Sequence, residues 1–223
     1  ELIRAIATVK QAAAEMNLHL GLLDPQVGSA IFQAAGEVAE GRFADQFPLD
    51  ALQGGAGTST NMNVNEVIAN RACELLGRSK GDYAVVHPLD AVNLSQSTND
   101  VYPTALKLAT WFGIQKLLTA LASLRGAFED KAGEFASILK IGRTQLQDAV
   151  PRTLGQEFTA FASMIADDEK RLRESTYLMC EVNLGGTAIG TGINAPLGYA
   201  EVAIAKLAEF SGVPVVKAED MIA

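Results

Sequence analysis

Apolar residues recur at steps of three and four over most of this chain, which is the period of an α-helix. Ile3, Ile6, Val9, Ala13, Met16 and Leu20 form the first stripe and predict an amphipathic helix over 2–20. Asp24-Pro25 reads as a cap followed by proline in the first turn, where a missing N–H costs little, so a second helix should run to about Glu40 and stop at Gly41. These two make an αα-hairpin. A third run, Val64 to Leu76, has Asn63 and Glu66 at capping-box spacing before it and Gly77 after it. Tyr199 to Phe210 gives one more amphipathic helix, and Ala218-Glu219-Asp220 has the composition of a further helix start.

Two periodic runs are much longer. With Asp100 as N-cap and Pro103 in the first turn, a helix from Val101 carries Leu106, Ala109, Gly113, Leu117, Ala120 and Leu124 on one face. Ile114, Leu118 and Leu121 broaden that face until little of it would be left for water, which is the pattern of a helix inside a bundle. It extends toward Phe135, with Gly126 and Gly133 as its weak points. A second rod runs from Pro151 to about Met179 on the stripe Leu154, Phe158, Phe161, Ile165 and Leu172, and its charged run 167–173 marks where it emerges toward solvent or another subunit. No stretch alternates as a half-buried strand would. The pattern predicts an all-α protein of two long antiparallel rods, 81–223, with a smaller helical lobe, 1–80.

At 223 residues, nearly half of them apolar, the chain can bury one good core or two modest ones. A net charge of −8 disfavours nucleic acid or an anionic membrane as partner, since both are themselves negative. There is no signal-peptide pattern and no uninterrupted apolar span of membrane length. Cys73 and Cys180 lie far apart without metal-ligand spacing, which fits a reducing compartment and a cytoplasmic protein. The two histidines, His19 and His87, form no nucleophile-base pair or metal cluster, so neither metal nor cofactor is expected. Because the chain opens inside a helical pattern at Glu1-Leu2-Ile3-Arg4, it is expected to be part of a longer protein.

Candidate chemistry collects at three polar helix entrances: Gly54 to Asn63, Ser95 to Asp100, and Gly142 to Asp148, the last preceding a helix at Pro151. Small hydroxyl and amide side chains join the unpaired N–H groups and positive dipole end of a helix there, which suits a carboxylate. Any one of these stretches alone reads as an ordinary cap. Three together point to a site. Gly54, Gly55 and Gly57 permit a tight turn and close backbone approach, while the Lys-Ser/Thr pair that closes a phosphate loop is absent.

These segments carry a family resemblance. Gly57-Thr58-Ser59, Asn61-Met62-Asn63-Val64-Asn65-Glu66, Ser97-Thr98-Asn99-Asp100, Gly142-Arg143-Thr144-Gln145-Leu146-Gln147-Asp148-Ala149, Leu154-Gly155-Gln156-Glu157 and Val182 to Gly192 closely resemble the aspartase/fumarase superfamily, over nearly the whole chain. The resemblance implies an L-aspartase-like all-α fold and a reversible anti-elimination that yields fumarate from a small dicarboxylate or amino-acid substrate. A base removes a proton beside one carboxylate, and the resulting dianion is stabilised by hydrogen-bond donors. Thr58, Ser59, Ser97, Thr98, Asn99, Thr144 and Gln145 would line that site. Active sites shared between the subunits of a homotetramer are implied as well.

Fumarases usually carry Thr-His where this chain has Thr144-Gln145, and Ser in place of Ala56. Gln145 can accept from a substrate ammonium, so ammonia is favoured over water as leaving group, and L-aspartate over malate. A hydratase is the alternative, and a scaffold without activity, as in lens relatives of the superfamily, is a third reading. Where the fumarases have His-Pro-Asn-Asp, a noncatalytic anion site, this chain has His87-Pro88-Leu89-Asp90; Leu89 lacks the amide, so that site should be lost or weak. The family's base is a serine on a loop reading like Gly-Ser-Ser-x-Met-Pro-x-Lys-x-Asn. No such stretch occurs here, so these residues alone should be catalytically silent.

Overall fold

The computed structural model of the chain describes residues 1–52 and 54–222. Six α-helices dominate them: α1 (Leu2–His19), α2 (Pro25–Ala39), α3 (Thr58–Leu75), α4 (Thr98–Glu134), α5 (Leu154–Cys180) and α6 (Tyr199–Ser211). A 3-10 turn at Ala44–Gln46 and a π-helical turn at Pro88–Val92 connect some of them. The chain divides into two compact units, one of Glu1–Thr110 with Met179–Ala223 and the other of Trp111–Leu178.

In the first unit α1 is the central element and packs against α2, α3 and α6. Its first stripe is buried as predicted at Ile6, Val9, Ala13 and Met16, but so are Ala5, Ala7, Ala12 and Ala14, because small side chains let neighbouring helices approach on more than one side. Ile31, Val38, Val64, Ile68 and Leu207 complete this core. Full burial of side chains of this size stabilises by roughly 1.5–3 kcal/mol each. Arg71 of α3 ties it to α2 through two bonds to Glu37, at 2.7 and 3.1 Å. The short strands β3 (Glu181–Val182) and β4 (Val216–Lys217) pair in parallel, so the segment after 215 closes the unit as a strand, and 218–220 does not begin a helix.

In the second unit α4 and α5 are joined by an antiparallel hairpin of β1 (Leu139–Thr144) and β2 (Gln147–Thr153). Phe128, Phe135, Phe158 and Phe161 stack edge-on with centroids 5.3–5.9 Å apart, and Glu169, read from sequence as part of an emerging charged run, is buried between Arg125 and Arg173. Gly155 marks the closest approach, since a Cβ there would lie 2.5 Å from the Ala132 carbonyl oxygen.

Three helix starts differ from the sequence reading. α3 begins six residues before Val64, because Gly57 takes a left-handed φ of 81° that lets the chain turn straight into the helix. Asn63 is therefore internal, and its amide donates to the Gln46 carbonyl. α4 begins at Thr98, because Ser97 is the cap and Asp100, the third helical residue, accepts the cap's own N–H. α5 begins at Leu154, with Pro151 inside β2. Thr153 and Gln156 form the capping box that starts it, each side chain accepting the other's backbone N–H at 3.0–3.1 Å. Gly126 and Gly133 do not interrupt α4, whose 37 residues absorb the ~1 kcal/mol each costs.

Candidate active site

Two of the three polar helix entrances are neighbours in the first unit. At the start of α3 a Cβ on Gly57 would stand 2.4 Å from the Tyr102 ring, so only glycine lets this turn lie against α4. The next residues, Thr58 and Ser59, occupy the first turn of α3 with exposed side chains. One turn further, the amide nitrogen of Asn61 donates to Thr98 Oγ1 at 3.1 Å. The two helix N-termini, each the positive end of a helix dipole, are thus linked directly beside a set of hydroxyls.

Ser97, Thr98 and Asn99 are held from below. The Ser97 hydroxyl accepts the Asn99 N–H at 3.2 Å, and the Asp100 carboxylate accepts the Ser97 N–H at 2.9 Å. The second Asp100 oxygen accepts the N–H groups of Gly185 and Thr187, at 3.1 and 2.9 Å. Through one buried carboxylate the start of α4 is fastened to the glycine-rich loop at 183–192. Asn99 strengthens that seam, its amide donating to the Ala188 carbonyl at 2.7 Å while its own carbonyl accepts from Asn183. Burial pushes the Asp100 carboxyl above the usual carboxylate range, against the pull of the three N–H donors and of Lys10. Burial and the charge of Asp100 likewise push the Tyr199 phenol up.

Thr144 and Gln145 lie in the second unit. Thr144 is the last residue of β1 and pairs with Gln147; Gln145 and Leu146 form the two-residue turn, with φ of 49° and 66°. Positive φ at both central positions is the geometry of the tight hairpin turn whose twist matches that of the strands. The hairpin replaces the helix entrance predicted for this segment. Thr144 and Gln145 are both exposed at its tip.

His87 caps the π-helical turn, its Nδ1 accepting the N–H groups of Leu89 and Asp90 at 3.2 Å. His19 is exposed at the end of α1. Both cysteines are buried, with burial pushing each thiol up. Among the described residues no three His, Cys, Asp or Glu side chains gather as a metal cage, and no helix is long and apolar enough to cross a membrane.

Lys10, Asn17 and Asn93 escaped the sequence reading, and Asn61, Asn65 and Ser95, read there as part of the polar motifs, turn out to position the site with them. The buried Lys10, Asn61 and Asn65 meet the half-buried Asn93 in a polar knot beneath Thr98, and Ser95, at φ 63°, donates to Asn17 Oδ1 at 2.9 Å while Asn17 donates to the Leu94 carbonyl. One signal was present: Ile3, Ile6, Lys10, Ala13 and Asn17 are spaced three, four, three and four residues apart, which puts a lysine and an asparagine on the apolar stripe.

A family model described as lyase matches residues 1–223. The chain is 55% identical over 223 residues to an aspartate ammonia-lyase of Pseudomonas aeruginosa, an alignment that covers all of this chain and 47% of the relative. It superposes with a TM-score of 0.96 and 55% identity on a Brucella melitensis structure titled fumarate lyase:delta crystallin bound to cobalt, over 99% of this chain and 48% of the other. A class II fumarase from Schistosoma mansoni matches with a TM-score of 0.92 and 36% identity, over 99% and 49%. The chain therefore spans about half the length of the relatives it matches.

Proposed function

The chain belongs to the lyase family whose model spans it, within the aspartase/fumarase superfamily, and from that premise we propose that the full-length protein eliminates ammonia from L-aspartate to give fumarate. The observation that carries this reading is the junction of two helix N-termini through Asn61 and Thr98. It brings uncharged hydroxyl side chains and the positive ends of two helices into one polar patch. Such donors suit the oxygens of a carboxylate that gains a second negative charge as the neighbouring carbon loses its proton. In this reading Thr58, Ser59, Ser97, Thr98 and Asn99 hold the substrate, and Thr144 with Gln145 addresses the leaving ammonium through the Gln145 carbonyl. The base that takes the carbon-bound proton is assigned to none of these residues.

A shared site in a homotetramer belongs to the same proposal. Its support is the apolar surface left open: Leu106, Leu117 and Leu124, the predicted bundle face of α4, are each nearly half exposed, and Leu139, Leu146 and Val150 stand out from the hairpin. A lone two-stranded hairpin is marginal in water, so a covering surface is called for. The division into a lobe at 1–80 and a bundle domain from 81 is proposed for that assembled parent. A cytoplasmic location is proposed too, supported by the two buried thiols.

Fumarate and ammonium are incubated with the full-length protein and the product is identified by NMR. Aspartate is expected. Malate would make the protein a hydratase, as the fumarase match allows, and neither product would overturn the enzymatic reading.

A further inference from the structure

Lys10 is fully buried in α1, yet its stripe faces a core in which most other side chains are apolar. Its ammonium donates to Asn93 Oδ1 at 2.7 Å. The amides of Asn61 and Asn65 converge on the same oxygen, each at 3.2 Å. The Asn61 nitrogen that reaches Asn93 also reaches Thr98 Oγ1. A buried cation is therefore two residues removed from the hydroxyl at the head of α4.

Resting on the reading above, we propose that Lys10 is a positioning residue that sets the hydrogen-bond polarity of the candidate site, so that Thr98 keeps its O–H free to donate to a substrate carboxylate instead of spending it on Asn61. An ammonium has donors and no acceptor, so Asn93 must turn its carbonyl oxygen toward it. With that oxygen facing inward, Asn61 can approach only with its NH2 group. The same NH2 then meets Thr98, whose oxygen is obliged to accept. A hydroxyl has one hydrogen, and with its oxygen engaged from below that hydrogen is left for the opening of the site. Asn93 is locked further by donating its own amide to the Gln96 carbonyl at 3.2 Å.

A buried cation that only filled space would be costly, since burial depresses its ionisation and an apolar residue would pack as well. Burial does hold the Lys10 amine down to about 7, with Asp100 pulling it back up. Its retention at the root of this chain of donors is what a role in polarity explains.

Succinate, a saturated dicarboxylate that cannot be turned over, is titrated by calorimetry into the full-length protein and into Lys10→Met, Thr98→Val and the double variant. Lys10→Met is expected to raise the Kd about tenfold in the wild-type background and less than twofold in the Thr98→Val background, because its effect passes through that hydroxyl. Equal effects in both backgrounds, or none in either, overturn the proposal. Asn61→Ala breaks the last link while leaving Lys10 and Asp100 together; it should reproduce the same pattern, and serves if Lys10→Met fails to fold. The product assay is independent of this cycle: a wild type that makes malate removes the ammonia-lyase reading and leaves the coupling between Lys10 and Thr98 intact.

Discussion

Thr98-Asn99 and Thr144-Gln145 are the same pair of functional groups, a threonine hydroxyl followed by a side-chain amide, and they are held in opposite ways. The first pair sits on a helix start that a buried carboxylate, a buried lysine, two buried asparagines and the half-buried Asn93 determine from beneath. The second sits on the exposed tip of a hairpin whose own chain gives it a turn and a strand partner. Pre-organisation in the first region is internal to the chain. For the second the chain itself supplies only the turn and the strand pairing.

The sharpest way to break that contrast is to remove the anchor of the first region. Asp100→Ala strips the acceptor from three backbone N–H groups, which should cost about 3–5 kcal/mol, since each donor left without an acceptor costs about 1–3 kcal/mol. A denaturation midpoint within the error of wild type would show that the anchor is dispensable. Next, Thr98→Val in the full-length protein should lower kcat/KM for aspartate about 100-fold, the loss of one strengthened hydrogen bond, with stability reduced only by the ~1 kcal/mol of the bond from Asn61. Unaltered fumarate production, followed by absorbance, would take Thr98 out of the site.

In the second region the effect should be smaller and confined to chemistry. Gln145→Ala exchanges one exposed residue for another, so melting should stay the same while aspartate turnover falls about tenfold. A large drop in melting temperature would mean that the tip is structural.

The last effect is read per unit of pH. Burial lowers the Lys10 amine from about 10.5 to about 7, so between those values the unfolded chain binds a proton that the folded chain does not. Folding stability should therefore rise with pH across that window, by at most ~1.4 kcal/mol per unit, and level off below pH 7 where both states are protonated. Asp100, raised by burial, acts in the opposite direction at lower pH, in the window just above its ordinary value of 3.8. In Lys10→Met the rise above pH 7 should vanish; equal slopes for variant and wild type in denaturant melts at pH 7, 8 and 9 would contradict the burial of a titrating amine.

Much of this was legible in the residues. The periods of α1, α2 and α6, the Asp24 cap and the rods of α4 and α5 follow from local patterning, because a stripe at helical spacing has no other way to bury itself. Thr153 and Gln156 even carried the capping-box signature of the true start of α5. The hairpin stayed hidden because Gly142 and Pro151 weaken any strand pattern and Gln145-Leu146 is not a typical turn pair.

By itself, then, the sequence determined the helical class, the helix periods and the residue types of the candidate site, since each depends on neighbours within a turn or two of the chain. Only the tertiary structure decided that Asp100 anchors Gly185 and Thr187, that Asn61 of α3 meets Thr98 of α4, and that Lys10 stands under both. Those contacts join residues 37 to 87 positions apart, and hydrogen-bond polarity between them is fixed by geometry in three dimensions, which no spacing along the chain encodes.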